Sequence, residues 1–470
     1  MFKSFLVILF FIIISIQANA DLREASRIYS KGKIGVAELG NMIKEFVDSG
    51  YTIAALPWMK EYLVSRGPMR GKIEDVFEQI ILDAGVKSFQ VLPPEVLENS
   101  RSPSIYYVLA KIYFSRGQFN MSLKYLDKIE TGDKIYPYAS HMKGVIHSSE
   151  GRFDVAEGFF KDCINYSNKY ASDTKTKAQA EQLQMNHDYC LAGVARNLFA
   201  KEDYKKSDLA YLDIQKKAYI WPEILFEEAW NSFYQGNYNR TLGKLVTYRA
   251  PIFSHVFKPE AQALVAMSYL KLCLYKDAQR SVDEFYATYL EPARFVRKFL
   301  LNRKSDYNYY YDLAIGNEKS RTNTSELLAN ILDSISMEPA YREIKETMKI
   351  AFRELKLVKN MAKSKLQRAM YYNLVEVINS QKIILGSYVR NRAIAKYAEL
   401  YRAFQDMSYI KLEVLAQRKQ RLYESRSSQD DKRGSVNYVE RNDKQYFWTF
   451  NGEFWADELG DYVFALPSEC

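Results

Sequence analysis

The residues able to do chemistry are few, and their spacing suits none of the common reactions. The histidines are His141, His147, His187 and His255. His141 and His147 lie six apart, so they do not share a helix face as an i, i+4 pair would. There is no H-E-x-x-H, no Gly-rich phosphate loop, no dinucleotide-binding glycine pattern and no G-x-S-x-G elbow. The cysteines Cys163, Cys190, Cys273 and Cys470 lack zinc-ligand spacing. Glu453, Asp457 and Glu458 form the one acidic cluster among aromatics. Glycoside hydrolases pair two carboxylates between aromatic platforms. Here Asp457 and Glu458 are adjacent, and nothing places a partner opposite them, so capping or hydrogen bonding is their default role. The residues nominate no catalytic group, no metal site and no cofactor.

The elements that carry these residues are read first from composition. The chain has 470 residues, with 66 Lys and Arg against 57 Asp and Glu, a formal charge of +9. It has 20 Gly and 12 Pro, about 7% together, against roughly 12% in average usage. Aromatics make up 14% and apolar residues 47%. This excludes collagen-like, linker-like and disordered chains. It also argues against a Gly-rich nucleotide-binding enzyme. The length fits two to three domains or one elongated array.

Residues 1–20, MFKSFLVILFFIIISIQANA, have a basic n-region at Lys3, an apolar stretch Phe5–Ile16 and a small-x-small site at Ala18-Asn19-Ala20. They read as a cleavable signal peptide, cut after Ala20, with an uncleaved anchor as the alternative. No later stretch approaches about 18 uncharged apolar residues. The expectation is a periplasmic or secreted protein. An oxidising compartment permits disulfides. Cys163 and Cys190 are the best candidate pair if they lie on neighbouring helices. The other reading makes the cysteines small buried apolar residues.

A repeat runs through the middle of the chain. Residues 106–129 and 142–164 each read as two helices joined at a Gly, and they align at an offset of 34. Further copies centre on Ala195, Ala229 and Ala266, giving steps of 34, 51, 34 and 37. Small residues recur at Ala110, Gly144, Ala195, Ala229 and Ala266. Aromatics recur at Phe119, Phe153, Tyr204, Tyr238 and Tyr275. Small residues recur again at Ser122, Ala156, Ser207, Thr241 and Ala278. The turn Gly is present as Gly117, Gly151 and Gly236 but is Glu202 and Cys273 in the other two copies. This pattern resembles the tetratricopeptide repeat, whose positions 8, 17 and 20 carry small, aromatic and small residues. The resemblance covers roughly 103–290 and implies stacked helix pairs. The Pro near position 32 is mostly missing, and a polar Lys-rich extension between Cys163 and Tyr189 predicts longer helices there.

The expected fold is all-α: a solenoid of tetratricopeptide type, a long helical hairpin and an aromatic C-terminal tail. Its parts are the signal peptide 1–20, a helical region 21–102 of degenerate repeats or a cap, the array 103–300, the hairpin 320–424, a linker 425–440 and the terminal motif 441–470. In the hairpin, Ile344, Met348, Ala351, Leu355, Val358, Ala362, Leu366 and Ala369 have near-heptad spacing. Gly386 is the expected break before a second helix carrying Ile394, Tyr397, Tyr401, Phe404 and Ile410. The basic run Lys356, Lys359, Lys363, Lys365 and Arg368 reads as a solvated face. Binding to anionic lipid or wall polymer is the weaker alternative for that run.

The tail carries Trp448, Phe450, Gly452, Glu453, Trp455, Asp457, Glu458, Leu459 and Gly460 as W-x-F-x-G-E-x-W-x-D-E-L-G. So many aromatics are expected to dock on the hairpin or the array. A tail of this form after a repeat array resembles exported deltaproteobacterial proteins, the AglT-like group associated with adventurous gliding motility. That resemblance implies a non-enzymatic periplasmic part of an envelope machine.

By analogy with the repeat family, a concave groove is lined by Tyr107, Lys111, Phe114, Tyr138, His141, Tyr189, Arg196, Phe199, Phe226, Trp230, Phe233, Tyr234, Met267 and Lys271. Aromatics with scattered cations suit a peptide or helix with apolar anchors and some acidic residues. Two occupancies stay open, an external partner or the chain's own inner helix or tail. The functional expectation is a scaffold for protein–protein contacts in the cell envelope, without nucleic acid. The alternative is a protein that binds or acts on cell-wall glycan through its aromatic, acidic tail.

Overall fold

The computed structural model of the protein describes residues 22–174, 177–316, 324–424, 436, 439–441 and 444–470. The signal-peptide stretch and most of the expected linker lie outside the described residues. In chain order the helices are α1 (Arg23–Ser30), α2 (Val36–Asp48), α3 (Thr52–Val64), α4 (Lys72–Ala84), α5 (Pro94–Glu98), α6 (Pro103–Ser115) and α7 (Phe119–Leu126). They continue as α8 (Tyr136–Ser149), α9 (Phe153–Asp173), α10 (Lys177–Ala200), α11 (Tyr204–Tyr211), α12 (Trp221–Tyr234), α13 (Tyr238–Val246), α14 (Glu260–Lys271) and α15 (Tyr275–Asn302). The last are α16 (Tyr307–Ala314), α17 (Glu326–Ser336), α18 (Pro339–Lys359) and α19 (Lys365–Glu424). Among the described residues the only strands are β1 (Trp448–Thr449) and β2 (Tyr462–Val463), paired in parallel. The fold class is all-α.

The chain forms two compact units. One holds residues up to Ala139 together with Glu338–Tyr388, and the other holds Ser140–Met337 with Val389–Cys470. In the first unit, α2 buries Leu39, Met42, Ile43 and Phe46, the i, i+3, i+4, i+7 stripe of an amphipathic helix. The following helix, α3, is buried nearly all round, which places it inside. Its first N–H groups have no partner within the helix. Glu354, from α18, supplies one, accepting from Ile53 N at 2.9 Å and Ala54 N at 2.8 Å.

The repeat reading can be followed residue by residue. The aromatics Phe119, Phe153, Tyr204, Tyr238 and Tyr275 each open the second helix of a pair: α7, α9, α11, α13 and α15. The turn residues Gly117, Gly151, Glu202, Gly236 and Cys273 all have positive φ, between 58° and 76°. Glycine takes that conformation without a Cβ penalty, so Glu202 and Cys273 bear a strain the other copies avoid. Ser122, Ala156, Ser207, Thr241 and Ala278 are fully buried. Three of them donate a hydroxyl to the first helix: Ser122 Oγ to Ala110 O at 2.9 Å, Ser207 Oγ to Ala195 O at 2.9 Å and Thr241 Oγ1 to Ala229 O at 3.3 Å. These bonds satisfy the hydroxyl at the closest helix crossing. The polar extension is taken up as longer helices, α9 with 21 residues and α10 with 24. They are bridged by Cys163–Cys190.

The hairpin differs from expectation at its break. Gly386 lies within α19, and the turn falls instead at 361–364. A single Gly costs about 1 kcal/mol in a helix, which a 60-residue helix absorbs. Ser364 sets the new start by accepting the Gln367 N–H at 3.0 Å, an N-cap bond. The heptad seam shifts with it. Ile344, Met348, Ala351 and Val358 are buried on α18, but Glu354 takes the buried place expected of Leu355. Ala362 falls in the turn.

Candidate partner-binding surface

The predicted groove residues fall in both units. In the first unit, Tyr107, Lys111 and Phe114 lie on α6 and Tyr138 lies on α8. The Tyr107 and Tyr138 rings are 6.4 Å apart, Lys111 Nζ stands 5.4 Å from the Tyr107 ring, and Phe114 lies 5.5 Å from Phe119. Tyr107 is 7% exposed, so it is chiefly a packing residue.

The remaining ten lie in the second unit, where two neighbourhoods differ. His141 and Tyr189 are engaged internally. His141 Nδ1 is 2.9 Å from Asn186 Oδ1, and its ring stacks with Tyr189 at 6.2 Å. Phe199, Trp230, Phe233 and Tyr234 come together as one aromatic run. Phe199 on α10 meets Tyr234 on α12 at 5.6 Å, and Tyr234 meets Trp230 at 5.7 Å. Trp230 in turn meets Phe233 at 5.5 Å and Phe226 at 6.3 Å. Met267 and Phe226 pack at the α12–α14 side of this run. Lys271, at the end of α14, is exposed.

The sequence reading left two members of the run out. Tyr204 stacks on Tyr234 at 5.3 Å with an 11° interplanar angle, and Tyr238 meets Phe233 at 5.2 Å. Both are turn-following repeat aromatics, so their assignment to inter-repeat packing hid their place beside the groove. Tyr234 is 55% exposed. Aromatics joined in this way form a continuous apolar surface rather than isolated rings.

The charges around the run are mostly engaged. Arg196 makes a two-pronged bond to Glu227, Nε to Oε2 at 2.9 Å and the guanidinium NH2 to Oε1 at 2.7 Å. Tyr211 donates to the same Glu227 Oε2 at 2.9 Å. Burial works against the Arg196 charge, and the Glu227 bonds and charge outweigh it, so its pKa is raised. Burial and then Glu227 raise the Tyr211 phenol. Glu227 was absent from the predicted set, as was Lys258, whose Nζ lies 4.5 Å from the Phe226 ring.

The C-terminal motif docks on the array, by the far side of α13. Thr241 and Leu245 face α12, so Asn239 and Gly243, each two residues away from one of them, point the other way. The tail lies there. Phe464 N donates to Asn239 O, Leu466 N to Asn239 Oδ1 and Asn239 Nδ2 to Leu466 O, each at 3.0 Å. Gly460 N donates to Thr247 Oγ1 at 3.1 Å. Leu459 and Tyr462 join Trp221, Leu225 and Val246 in one buried cluster, against which Phe450 and Phe454 pack. Gly452 and Gly460 take positive φ, which explains their place in the motif as turn residues. Glu453 and Asp457 are exposed, and Glu458 is half-buried, its N–H donating to Trp455 O. Trp448 and Trp455 remain 48% and 58% exposed.

A second disulfide, Cys273–Cys470, fixes the end of the tail to the turn of the fifth repeat. Sequence spacing does not pair them, because the two cysteines are 197 residues apart. Among the described residues no group of side chains could hold a metal ion, and no helix is long and apolar enough to cross a membrane.

Helix pairs with these recurring contacts define an all-α repeat fold of tetratricopeptide type. No family model and no curated protein matches the chain. Among solved structures it is similar to the P58(IPK) tetratricopeptide domain, at 13% identity and a TM-score of 0.20, covering 78% of this chain and 98% of that one. It is also similar to a circular tandem repeat protein, at 11% identity and a TM-score of 0.18, covering 85% and 98%. Both superpose loosely, so the repeat assignment rests on this chain's own helix pairs.

Proposed function

We propose that the protein is a non-enzymatic scaffold that binds a protein partner along the aromatic run of its second unit. The observation that carries this reading is Tyr234, 55% exposed yet held by contacts to Phe199, Tyr204 and Trp230. Rigid, partly exposed aromatics lose little entropy on binding and make strong anchors. Since Arg196 is engaged by Glu227, the partner anchors mainly through apolar side chains, and acidic groups find Lys271 at the edge.

The leader-like residues 1–20 and two disulfides favour a periplasmic or secreted setting. In that setting the partner is an envelope protein, and the terminal motif points to a complex of the gliding-motility type. The test is crosslinking in cells from a photoreactive residue at Lys271, with and without Tyr234→Ala. Tyr234→Ala is expected to cut partner recovery several-fold while leaving the melting temperature nearly unchanged. Equal recovery would remove this face from the reading. Trp230→Ala and Phe233→Ala are less clean probes, because both rings pack against the buried cluster.

A second reading has its own observation, the exposed indoles Trp448 and Trp455 beside exposed Glu453 and Asp457. These suit saccharide contact. Retention on purified wall glycan that is lost in Trp455→Ala would support it, and no retention by the wild type would end it.

A further inference from the structure

We propose that the C-terminal segment is an exchangeable plug, passed between copies of this chain and locked by the Cys273–Cys470 disulfide.

The face it covers is built to receive extended backbone. Asn239 holds Leu466 through both its amide oxygen and its amide nitrogen, at 3.0 Å each, while its own carbonyl accepts from Phe464. That is the pairing of a strand edge made by one residue of a helix. Gly243 lets the segment approach, since a Cβ there would stand 1.7 Å from the Tyr462 carbonyl oxygen. Gly460 sits against Trp221 and Leu225, where a Cβ would meet the indole at 3.0 Å. The face thus selects a Gly-x-Tyr-x-Phe-x-Leu segment, residues 460–466, which every copy of this chain carries at its end.

The lock is accessible. Cys470 is exposed and Cys273 half-exposed, whereas Cys163 and Cys190 are fully buried. Cys273 also occupies a left-handed turn position, where three of the other four copies have Gly. Its presence there serves the bond rather than the turn. A dithiol opens the bond by exchange. Its thiolate bonds to Cys470 Sγ and Cys273 leaves as a thiolate. The second thiol then displaces Cys470, so the dithiol becomes a disulfide and the protein gains two electrons and two protons. This surface adjoins the aromatic run at Tyr238, which packs in one cluster with Phe464 and Leu466, but the proposal rests on the contacts of the plug and not on the partner-binding reading.

The test uses two full-length variants mixed in a glutathione redox buffer. Cys273→Ser keeps the plug cysteine, and Cys470→Ser keeps the docking face and its cysteine. Neither can close the bond within itself, so a Cys470–Cys273 bond requires the plug of one copy on the face of the other. The expected result is a covalent heterodimer on a non-reducing gel, with that cross-link confirmed by mass spectrometry. Adding Gly243→Ala or Asn239→Ala to the copy bearing Cys273 should cut its yield at least tenfold. The same change in the copy bearing Cys470 frees that copy's own plug and should leave the yield equal or raise it. Absence of the heterodimer, or equal yield whichever copy carries the change, overturns the proposal. Circular dichroism of each variant separates loss of docking from loss of fold.

Discussion

Glu354 and Ala54 meet across two helices of the first unit, the Glu354 Oε2 accepting the Ala54 N–H at 2.8 Å. The carboxylate also accepts from Ile53 N and from Thr52 Oγ1, whose hydroxyl additionally bonds Asp83. A helix of the far half of the sequence thus caps a helix near its start. The cap favours the charged form, as does the helix dipole. Burial opposes it more strongly, and Asp83 adds repulsion, so the Glu354 pKa is pushed up to about 7.

A pH dependence follows from the sign of that shift. A folded pKa above the unfolded one means the folded state holds more protons between the two values. The stabilisation is therefore full below about pH 4.5 and is lost as pH rises through about 7. Raising the pH from 5 to 8 should cost the wild type roughly 2.5 kcal/mol relative to Glu354→Gln, which does not titrate. Denaturant melts of both proteins at the two pH values read this directly. Parallel changes in the two would show that Glu354 is not the source.

Gly144 and Phe160 pose a packing test. A Cβ on Gly144 would lie 2.6 Å from the Phe160 ring, and one on Gly193 would meet the same ring at 2.6 Å. Gly144→Ala should therefore destabilise by about 1–3 kcal/mol although Ala is the better helix former. Phe160→Leu in the same chain should recover part of the loss. Urea midpoints of the two single variants and the double variant form the cycle, and strict additivity would contradict it.

Arg240 and Asp208 form a buried pair at 2.8 Å, with Gln445 of the tail donating to the same Asp208 oxygen at 3.2 Å. Removing only the cation, as in Arg240→Met, strands a buried carboxylate and should cost about 3–5 kcal/mol. Asp208→Leu together with Arg240→Met should restore most of it. Thermal unfolding of the three proteins decides the matter.

Legibility in the sequence followed sequence distance. The repeat positions were readable because each rule concerns residues within one helix pair, as with Ala195 and Ser207, twelve apart. The longer α9 and α10 were readable from an insertion between two such pairs. The docking of the tail on Asn239 and Gly243 was not, because Asn239 and Gly243 look like ordinary exposed positions of a second helix. The pairing of Cys273 with Cys470 was hidden likewise, although a Cys at a Gly turn position was a visible anomaly. Glu354 was not legible because a carboxylate satisfied by backbone N–H groups breaks the apolar stripe while keeping the burial. Of the predicted groove, the run from Phe199 to Tyr234 is contiguous, while His141 and Arg196 are engaged by Asn186 and Glu227.

The Cys273–Cys470 bond also changes how the molecule would carry load. It closes the last 198 residues into a covalent ring, since its cysteines are 197 apart. Tension applied between the two ends passes from residue 470 straight to residue 273 and skips everything between them. In a stretching experiment the oxidised protein should yield the contour length of the segment before residue 273, less the stretch closed by Cys163–Cys190. A reductant would then add the missing length in two chemically defined steps, the larger of them from the Cys273–Cys470 ring.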